Sequence, residues 1–569
     1  MIDSPALPFR LIKMTQPRIL TLLGFLFLFT LPLKAEEPKL RCPAIFGSHM
    51  VLQQGREIPV WGWAKPGATV TVTFKDKSGQ TTAGDDGKWR VRLPALATPK
   101  DPVWMTVSSG GETLEFSDIL LGDVWLCSGQ SNMAMGVGAM KRADAIIANA
   151  DHPKIRLFMV NRQVAFDPAD ELASDQGEWV VCSPETINMA GGFKGFSAVG
   201  YFFGRAIQES QGIPVGLIGT YVGGSNITSW VPRETLASSP RDSLFWKRNR
   251  EFELDLKTLD EDVANFQKAA PLWEKALQER NAKNHAAITA WKTAVAQAKE
   301  SGAKPPARPA PLPVPPNRPK DPLGNFHQPT SLYNGMIHPL APFALTGALW
   351  YQGEANSYPG MAEEYRDNLG AMIRDWRVLW AQGDFPFFVV QLPNLKSSKD
   401  TWPIVRESQR LAVQETPNTG LAVTYDVGDP NDLHPAEKQA IGERLALLAR
   451  NQIYGESIVA SGPMIEAANA KNGSIALSFE HTGSGLMTGS ITEPEFRAKP
   501  SNEALRGFEV AGPDGSYIPA NAAIEGNQVL LNAPVAVPKS VRYAWAPDPD
   551  ANLYNREGLP TAPFQVDLP

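Results

Sequence analysis

A serine that follows an apolar run is the first residue in this chain with the potential for chemistry. Ser131 lies in DVWLCSGQSNM (123–133), where a buried strand would end and a helix would begin. A serine at that point presents its hydroxyl at the edge of a sheet, and the helix N-terminus offers N–H groups to a developing oxyanion. Ser131 is therefore a candidate nucleophile, and the alternative is a helix N-cap.

A serine nucleophile needs a histidine to take its proton. Of seven histidines, His434 fits best, because it stands in DVGDPNDLHP (426–435) after the last apolar run and before an amphipathic stretch. That loop would lie at the same sheet edge as Ser131, although 303 residues separate the two (434 − 131). His338, in NGMIHP (334–339), is the main alternative.

The histidine in turn needs a carboxylate that holds its tautomer and stabilises the imidazolium. Asp432 is the nearest in sequence, and Asp429 is the alternative. Ordinary turn formation also explains this cluster, since Asp, Asn, Gly and Pro all favour turns.

Two further loops offer hydrogen-bond donors for an oxyanion. GGSN (223–226) and WYQGEAN (350–356) each follow an apolar run. Acyl transfer requires several donors aimed at one oxygen. We expect the N–H of Gly223 or Gly224 and the side-chain amide of Gln352 to supply them.

The elements that must position these residues form a parallel sheet. Short apolar runs separated by helix-length stretches are typical of βαβ units with both faces of the sheet covered. Ligands bind such sheets beyond the carboxyl ends of the strands. The runs lie at 119–127, 155–160, 215–219, 345–351, 385–392 and 421–425.

Regions with period-two alternation flank this α/β part and predict β-sandwich-like modules at 38–116 and 456–569. The α/β domain is expected over 117–455. It contains an insert at about 240–325, for which we predict a helical hairpin with a break near Pro271, followed by a stiff proline-rich segment over 305–322.

Charge and composition exclude several classes of protein. The net charge is −6, with 54 basic and 60 acidic residues intermixed, so no nucleic-acid partner is expected. Three cysteines exclude a disulfide framework, and no spacing predicts a metal site. Residues 1–35 have the order of a secretory signal, which predicts a secreted or periplasmic protein without a stable membrane span; a membrane anchor is the alternative.

Six blocks, in order, resemble the SGNH hydrolases and more closely their sialate O-acetylesterase family. They are GDVWLCSGQSNM (122–133), GTYVGGSNITSW (219–230), LYNGMIHPL (332–340), WYQGEAN (350–356), NDLHP (431–435) and VRYAWAPDPDANLYNREGLPTAPF (541–564). The resemblance implies a flavodoxin-like catalytic domain, Ser131 as nucleophile, His434 as base, and no cofactor. It also implies oxyanion donors from Ser131, Gly223 or Gly224, and Gln352.

The chain departs from the superfamily pattern at two points. The usual DxxH spacing is replaced by Asp432 two positions before His434, which leaves the identity of the acid open. The usual GxND block is replaced by QGEAN, so either Gln352 or Asn356 supplies the side-chain donor.

The expected substrate is an acetylated carbohydrate. The resemblance favours acetylated sialic acid. If the protein is an esterase of another kind, acetylxylan or another acetylated polysaccharide is the alternative substrate. The alternative outside the enzymes is an inert carbohydrate-binding surface protein. The polar and aromatic side chains expected to bind the sugar are Asn132, Tyr351, Glu354 and Asn356.

Overall fold

The computed structural model describes residues 39–569, except residues 97, 100, 174–176, 190, 192, 472, 493 and 494. The predicted signal at 1–35 lies outside the described residues. No helix within the described part of the chain is long and apolar enough to cross a membrane. Cys42, Cys127 and Cys182 are all free thiols.

The N-terminal region is built mostly from antiparallel strand pairs, in two layers. Its strands are β1 (Val51–Gln53), β2 (Ile58–Trp63), β3 (Thr69–Phe74), β4 (Lys77–Thr82), β5 (Lys88–Leu93), β6 (Val103–Ser109) and β7 (Glu112–Gly129). The pair β2–β5 packs over the sheet that contains β3, β4 and β6, with Val91 against Gly79. The expected alternation holds along β5, where Trp89, Val91 and Leu93 are buried.

Strand β7 belongs to two regions at once. Its first half, from Glu112, pairs antiparallel with β6, and its second half pairs parallel with β1 and with strands of the α/β domain. The boundary predicted between residues 116 and 117 therefore falls inside one continuous strand of 18 residues.

The remaining strands of the α/β domain correspond to the predicted apolar runs, with one short addition at the edge. They are β8 (His152–Met159), β9 (Val180–Cys182), β10 (Val215–Tyr221), β11 (Gly347–Tyr351), β12 (Phe387–Val390) and β13 (Thr419–Ala422). The sheet order is β13-β12-β11-β7-β10-β8-β9, and every pair is parallel except β8–β9. The prediction of a parallel sheet made of these runs is confirmed.

Helices cover both faces of this sheet. They are α1 (Ser131–Ala134), α2 (Ala143–Ala148), α3 (Ala198–Gln211), α4 (Arg233–Ser238), α5 (Leu244–Ser301), α6 (Tyr365–Trp380), α7 (Trp402–Glu415) and α8 (Gln439–Gln452). Helices α3 and α8 share one apolar core with the sheet, and α6 and α7 share another. The chain order reverses between β7 and β11, so the carboxyl ends of these two strands flank the crevice where such sheets bind ligands.

The insert differs from the predicted hairpin. Helix α5 is a single helix of 58 residues, and it continues through Pro271. A proline removes one intrahelical hydrogen bond, and the Ala-, Glu- and Lys-rich residues on both sides favour helix strongly enough to continue past it. The proline-rich segment returns along α5, because Trp273 and Trp291 donate hydrogen bonds from their indoles to the carbonyls of Pro315 and Pro306 (3.1 and 2.9 Å).

The C-terminal region is an antiparallel β structure with its own core. Its strands are β14 (Met464–Lys471), β15 (Ser474–Glu480), β16 (Leu486–Ser490), β17 (Lys499–Pro500), β18 (Phe508–Ala511), β19 (Tyr517–Pro519), β20 (Ala522–Glu525), β21 (Gln528–Asn532), β22 (Ser540–Tyr543), β23 (Leu553–Asn555) and β24 (Phe564–Asp567). They form separate sheets around Leu477, Val510 and Val541. Buried Arg406 of α7 donates to the carbonyls of Ala546 and Pro547, which ties this region to the α/β domain.

Candidate active site

Ser131 stands at the first position of helix α1, directly beyond the carboxyl end of β7. The turn depends on Gly129, whose φ is +138° and where an added Cβ would lie 2.1 Å from the carbonyl oxygen of Tyr351. Gln130, not Ser131, occupies the cap of the helix. The N-cap alternative for Ser131 is therefore wrong, and its hydroxyl is available for another partner.

That partner is His434. Its Nε2 lies 2.8 Å from the Ser131 Oγ, so the hydroxyl donates to the ring when Nε2 is unprotonated. Burial lowers the pKa of His434, as does the nearby Lys438 ammonium, while the Asp432 carboxylate opposes both effects. The ring is thereby kept neutral, as a general base must be.

His338 contacts a different part of the molecule. Its Nδ1 lies 2.9 Å from the carbonyl oxygen of Ala169, which makes Nδ1 the protonated nitrogen. The structure therefore pairs Ser131 with His434 rather than with the alternative histidine.

The two candidate acids bind backbone N–H groups rather than the imidazole. Asp432 Oδ1 accepts a hydrogen bond from the backbone N–H of His434 (2.9 Å), and Asp429 Oδ1 accepts one from the N–H of Asn431 (2.9 Å). Within the described ranges, no carboxylate is hydrogen-bonded to Nδ1 of His434. The expected contact between Asp432 and the ring is thus absent, because the tight turn directs that carboxylate to the backbone; its remaining influence on His434 is electrostatic.

The glycine loop after β10 lies next to Ser131. A Cβ added to Gly223 would lie 3.5 Å from the Ser131 Cβ, so Gly223 packs against the serine. Gly224 has a φ of +77° and nothing within 4 Å of the same position. Across residues 39–569, apart from the gaps given above, the N–H groups of Ser131 and Gly223 donate to no other group. Gly223 therefore fits the predicted donor better than Gly224.

The side-chain amide of Gln352 is directed away from this role. Its Nε2 donates to Gln130 Oε1, Ser225 O and Asn356 Oδ1 at 3.1, 3.1 and 2.8 Å, and the side chain is fully buried. The amide that remains free is Nδ2 of Asn356, which is buried without a partner. Asn356 Oδ1 already accepts from Gln352 and from Ile227 N, which fixes the orientation of its amide. These contacts direct the Gln352 amide away from an oxyanion, whereas Asn356, the other side-chain donor that the sequence allows, has a free amide among the described residues.

A buried network of charged residues lies behind the serine. Asn132 donates from Nδ2 to Glu354 Oε1 (2.5 Å) and to the Leu433 carbonyl (3.1 Å), and its Oδ1 accepts from Lys438 Nζ (2.8 Å). Burial lowers the pKa of Lys438 to about 7 and raises that of Glu354. The network links the serine turn, the histidine loop and the loop after β11.

The four residues expected to bind sugar hydroxyls are instead mostly beneath the site. Asn132, Tyr351 and Asn356 are fully buried, and Glu354 is 8% exposed. The apolar side chains that remain accessible beside the histidine are Phe193, with its ring 6.2 Å from that of His434, and Leu433.

Lys438 and Phe193 were not anticipated from the sequence. Lys438 follows His434 by four positions and precedes α8, but this stretch is not helical, so the spacing carried no signal of their contact. Phe193 lies in an irregular loop and carried no such signal. Among the described residues, no group of three or more His, Cys, Asp or Glu side chains is placed to hold a metal ion.

A family model described as "Carbohydrate esterase, sialic acid-specific acetylesterase" matches residues 121–306 and 312–450, which together are more than half of the chain. The chain belongs to this family of carbohydrate esterases. Both Ser131 and His434 lie within the matched residues. The resemblance seen in the sequence blocks is confirmed.

Relatives of this esterase extend the likeness beyond the matched region. A protein named sialate O-acetylesterase from Mus musculus is 28% identical over 578 residues, covering 93% of this chain and 94% of the relative. The protein of that name from Homo sapiens is 28% identical over 459 residues, covering 75% and 73%. The crystal structure of a carbohydrate acetylesterase from Xanthomonas citri superimposes with a TM-score of 0.71 at 32% identity, covering 93% of this esterase and 99% of that chain.

Proposed function

We propose that this esterase removes O-acetyl groups from sugars through an acetyl-enzyme formed on Ser131. The contact of 2.8 Å between Ser131 Oγ and His434 Nε2 carries the proposal, because it joins a nucleophile to a base at the ligand edge of the sheet. It also argues against an inert carbohydrate-binding protein, which has no need of such a pair.

In the first step His434 Nε2 takes the Ser131 proton as Oγ attacks the acetyl carbonyl carbon. The oxyanion is stabilised by the N–H groups of Ser131 and Gly223 and by Asn356 Nδ2. The tetrahedral intermediate collapses, His434 returns the proton to the sugar oxygen, and the alcohol leaves. Water then attacks the acetyl-enzyme by the same route and releases acetate, so no cofactor is required.

The substrate we propose is an O-acetylated sialic acid, with the protein acting outside the cytoplasm. The family description and the names of the mouse and human relatives support this choice. We further propose that the α/β domain is a flavodoxin-like SGNH hydrolase, supported by the order β10-β7-β11-β12-β13, and that both flanking modules are sandwich-like.

Acetate release from O-acetylated sialic acid and from acetylated xylan, measured side by side, tests the proposal. We expect the higher kcat/KM on the sialic acid and no turnover by a folded Ser131→Ala variant, which loses only a hydroxyl. A preference for xylan would reassign the sugar and keep the chemistry. Turnover by folded Ser131→Ala would remove the serine from the mechanism.

The acid is tested separately with Asp432→Asn and Asp429→Asn. We propose that Asp432 acts on His434 through its charge, so its replacement should lower kcat more than that of Asp429. Equal, small effects would show that neither carboxylate assists the base.

A further inference from the structure

We propose that a second cleft, between the N-terminal β region and the α/β domain, binds a sugar that carries a carboxylate. The cleft has a volume of about 950 Å³ and is bordered by strands β2 and β5, the end of helix α6 and the turn at 341–344. Neither Ser131 nor His434 lines it. The inference goes beyond the proposed function, because it concerns binding at a place where no ester is cleaved.

The charge of the cleft selects an acidic ligand. Four basic side chains and two acidic ones line it: Arg56, Lys88, Arg90, Arg92, Glu57 and Asp170. Both acids are already engaged, since Lys88 lies 2.8 Å from Asp170 and Arg92 lies 3.5 Å from Glu57. An excess of positive charge therefore remains for a ligand.

Arg90 is the group that presents this charge. It lies on the exposed face of β5, directly across from Trp61 of β2 in the antiparallel register. In the part of the chain that the structure describes, its guanidinium has no ion pair and no hydrogen bond. A free guanidinium offers a planar pair of donors that fits a carboxylate.

The aromatic side chains of the cleft suit the body of a sugar. Trp61, Trp63 and Trp89 all line it, and aromatic walls with a few polar groups are typical of small-ligand sites. Trp61 pairs with Arg90 across the two strands, so its ring lies on the same face of β2 and β5 as the guanidinium.

His338 gains a role at this cleft. It lines the cleft, and its Nδ1 is committed as a donor to the Ala169 carbonyl. Its Nε2 is therefore an acceptor in the neutral ring, which suits a sugar hydroxyl. The LYNGMIHPL block, which contributes no group to the serine site, thus has a candidate use.

Isothermal titration of the full chain with 3′-sialyllactose, and with lactose as its neutral counterpart, tests the proposal. Neither sugar carries an acetyl ester. We expect sialyllactose to bind, lactose to bind at least about tenfold more weakly, and Arg90→Gln to remove that difference, as the loss of one charged hydrogen bond implies.

Three comparisons locate the binding. Arg241→Gln, an exposed arginine outside the cleft, and Ser131→Ala should both bind sialyllactose as the unaltered protein does, and Arg90→Gln should hydrolyse p-nitrophenyl acetate normally. Binding that survives Arg90→Gln but falls with Ser131→Ala would place the ligand in the serine site and overturn the proposal. Equal affinity for both sugars, or no binding of either, would overturn it as well.

Discussion

His434, the proposed base, has two neighbours of opposite charge that act on its protonation. Burial and the Lys438 ammonium lower its pKa, whereas Asp432 raises it. Glu354 is separated from the ring by Asn132 and acts on Lys438 more directly. The balance of these effects on the pKa determines the pH at which the His434 ring becomes protonated.

We therefore expect kcat/KM to fall on the acid side with a midpoint below about 6.5, the ordinary histidine value. At that pH Lys438, whose pKa is about 7, is protonated and repels the imidazolium. Lys438→Met should move the midpoint up and Asp432→Asn should move it down, as seen in pH profiles with p-nitrophenyl acetate. A midpoint above the ordinary value in the unaltered protein would contradict this view of His434.

The side-chain donor for the oxyanion gives a second prediction. Asn356→Asp keeps the acceptor for Ile227 N but replaces the free N–H₂ by oxygen, so kcat should fall by about 10²–10³ with little change in KM. Gln352→Ala should instead lower the melting temperature, because it leaves several buried partners unpaired. If kcat were lost with Gln352→Ala and kept with Asn356→Asp, Gln352 would be the donor after all.

The sequence was sufficient to predict that Ser131 and His434 lie together, because both follow apolar runs whose carboxyl ends must meet at one sheet edge. It was not sufficient to orient Gln352, Asn356 or Asp432. The direction of an amide or a carboxylate depends on partners from distant segments, such as Ser225 and Tyr365 for Gln352.

Helix α5 is the element that the sequence described least well. Its pattern of charged and small residues predicts helix but does not distinguish one long helix from two shorter ones. The proline suggested a break. The helix-favouring residues on both sides carry α5 past the proline, and the proline-rich segment, not a second helix, packs against it through Trp273 and Trp291.

Beyond its first turns, α5 is an arm that contributes few buried side chains. Beyond Phe252 nearly all its side chains are exposed or half-buried, and the part from residue 256 is about 70 Å long at the usual helical rise. At the base of the arm, Gln328 Nε2 donates a hydrogen bond to Asp255 Oδ2 (3.1 Å).

Replacing residues 256–325 by a short Gly-Ser linker should therefore leave the melting temperature and the hydrolysis of p-nitrophenyl acetate nearly unchanged. A longer deletion that also removes Phe245 and Phe252, both buried, should lower the melting temperature clearly. Loss of small-ester activity with the shorter deletion alone would show that the arm supports the site.

At the scale of the whole molecule, strand β7 joins the N-terminal sheet to the catalytic sheet without interruption. The period-two pattern correctly identified β structure before residue 116, and the apolar run correctly identified the strand after 119. The segment before residue 116 alternates apolar and polar residues, whereas the segment after 119 is continuously apolar, and this difference suggested two separate strands. No local feature of the sequence shows that a single strand belongs to both sheets.

The shared strand predicts that the N-terminal region and the catalytic domain unfold together. Phe74→Ala, which empties a fully buried site in β3, should cost about 3–5 kcal/mol and lower the temperature at which esterase activity is lost. Leu477→Ala, in the separate C-terminal core, should affect that temperature less. Calorimetry and thermal inactivation measure both, and activity that outlasts an earlier N-terminal transition would contradict the coupling.

Strand β7 also determines the order in which a growing chain can complete its fold. Its second half is flanked by β10 and β11, which end at Tyr221 and Tyr351, 92 and 222 residues after Gly129 (221 − 129 and 351 − 129). At a synthesis rate of about 5–20 residues per second, its inner neighbours arrive roughly 5 to 45 seconds later. During that interval a buried apolar strand has two open edges, while the N-terminal sheet that anchors it is already complete. The part of the strand with both edges open is Asp123–Gly129, where a chaperone for extended apolar segments would bind until β11 closes the second edge.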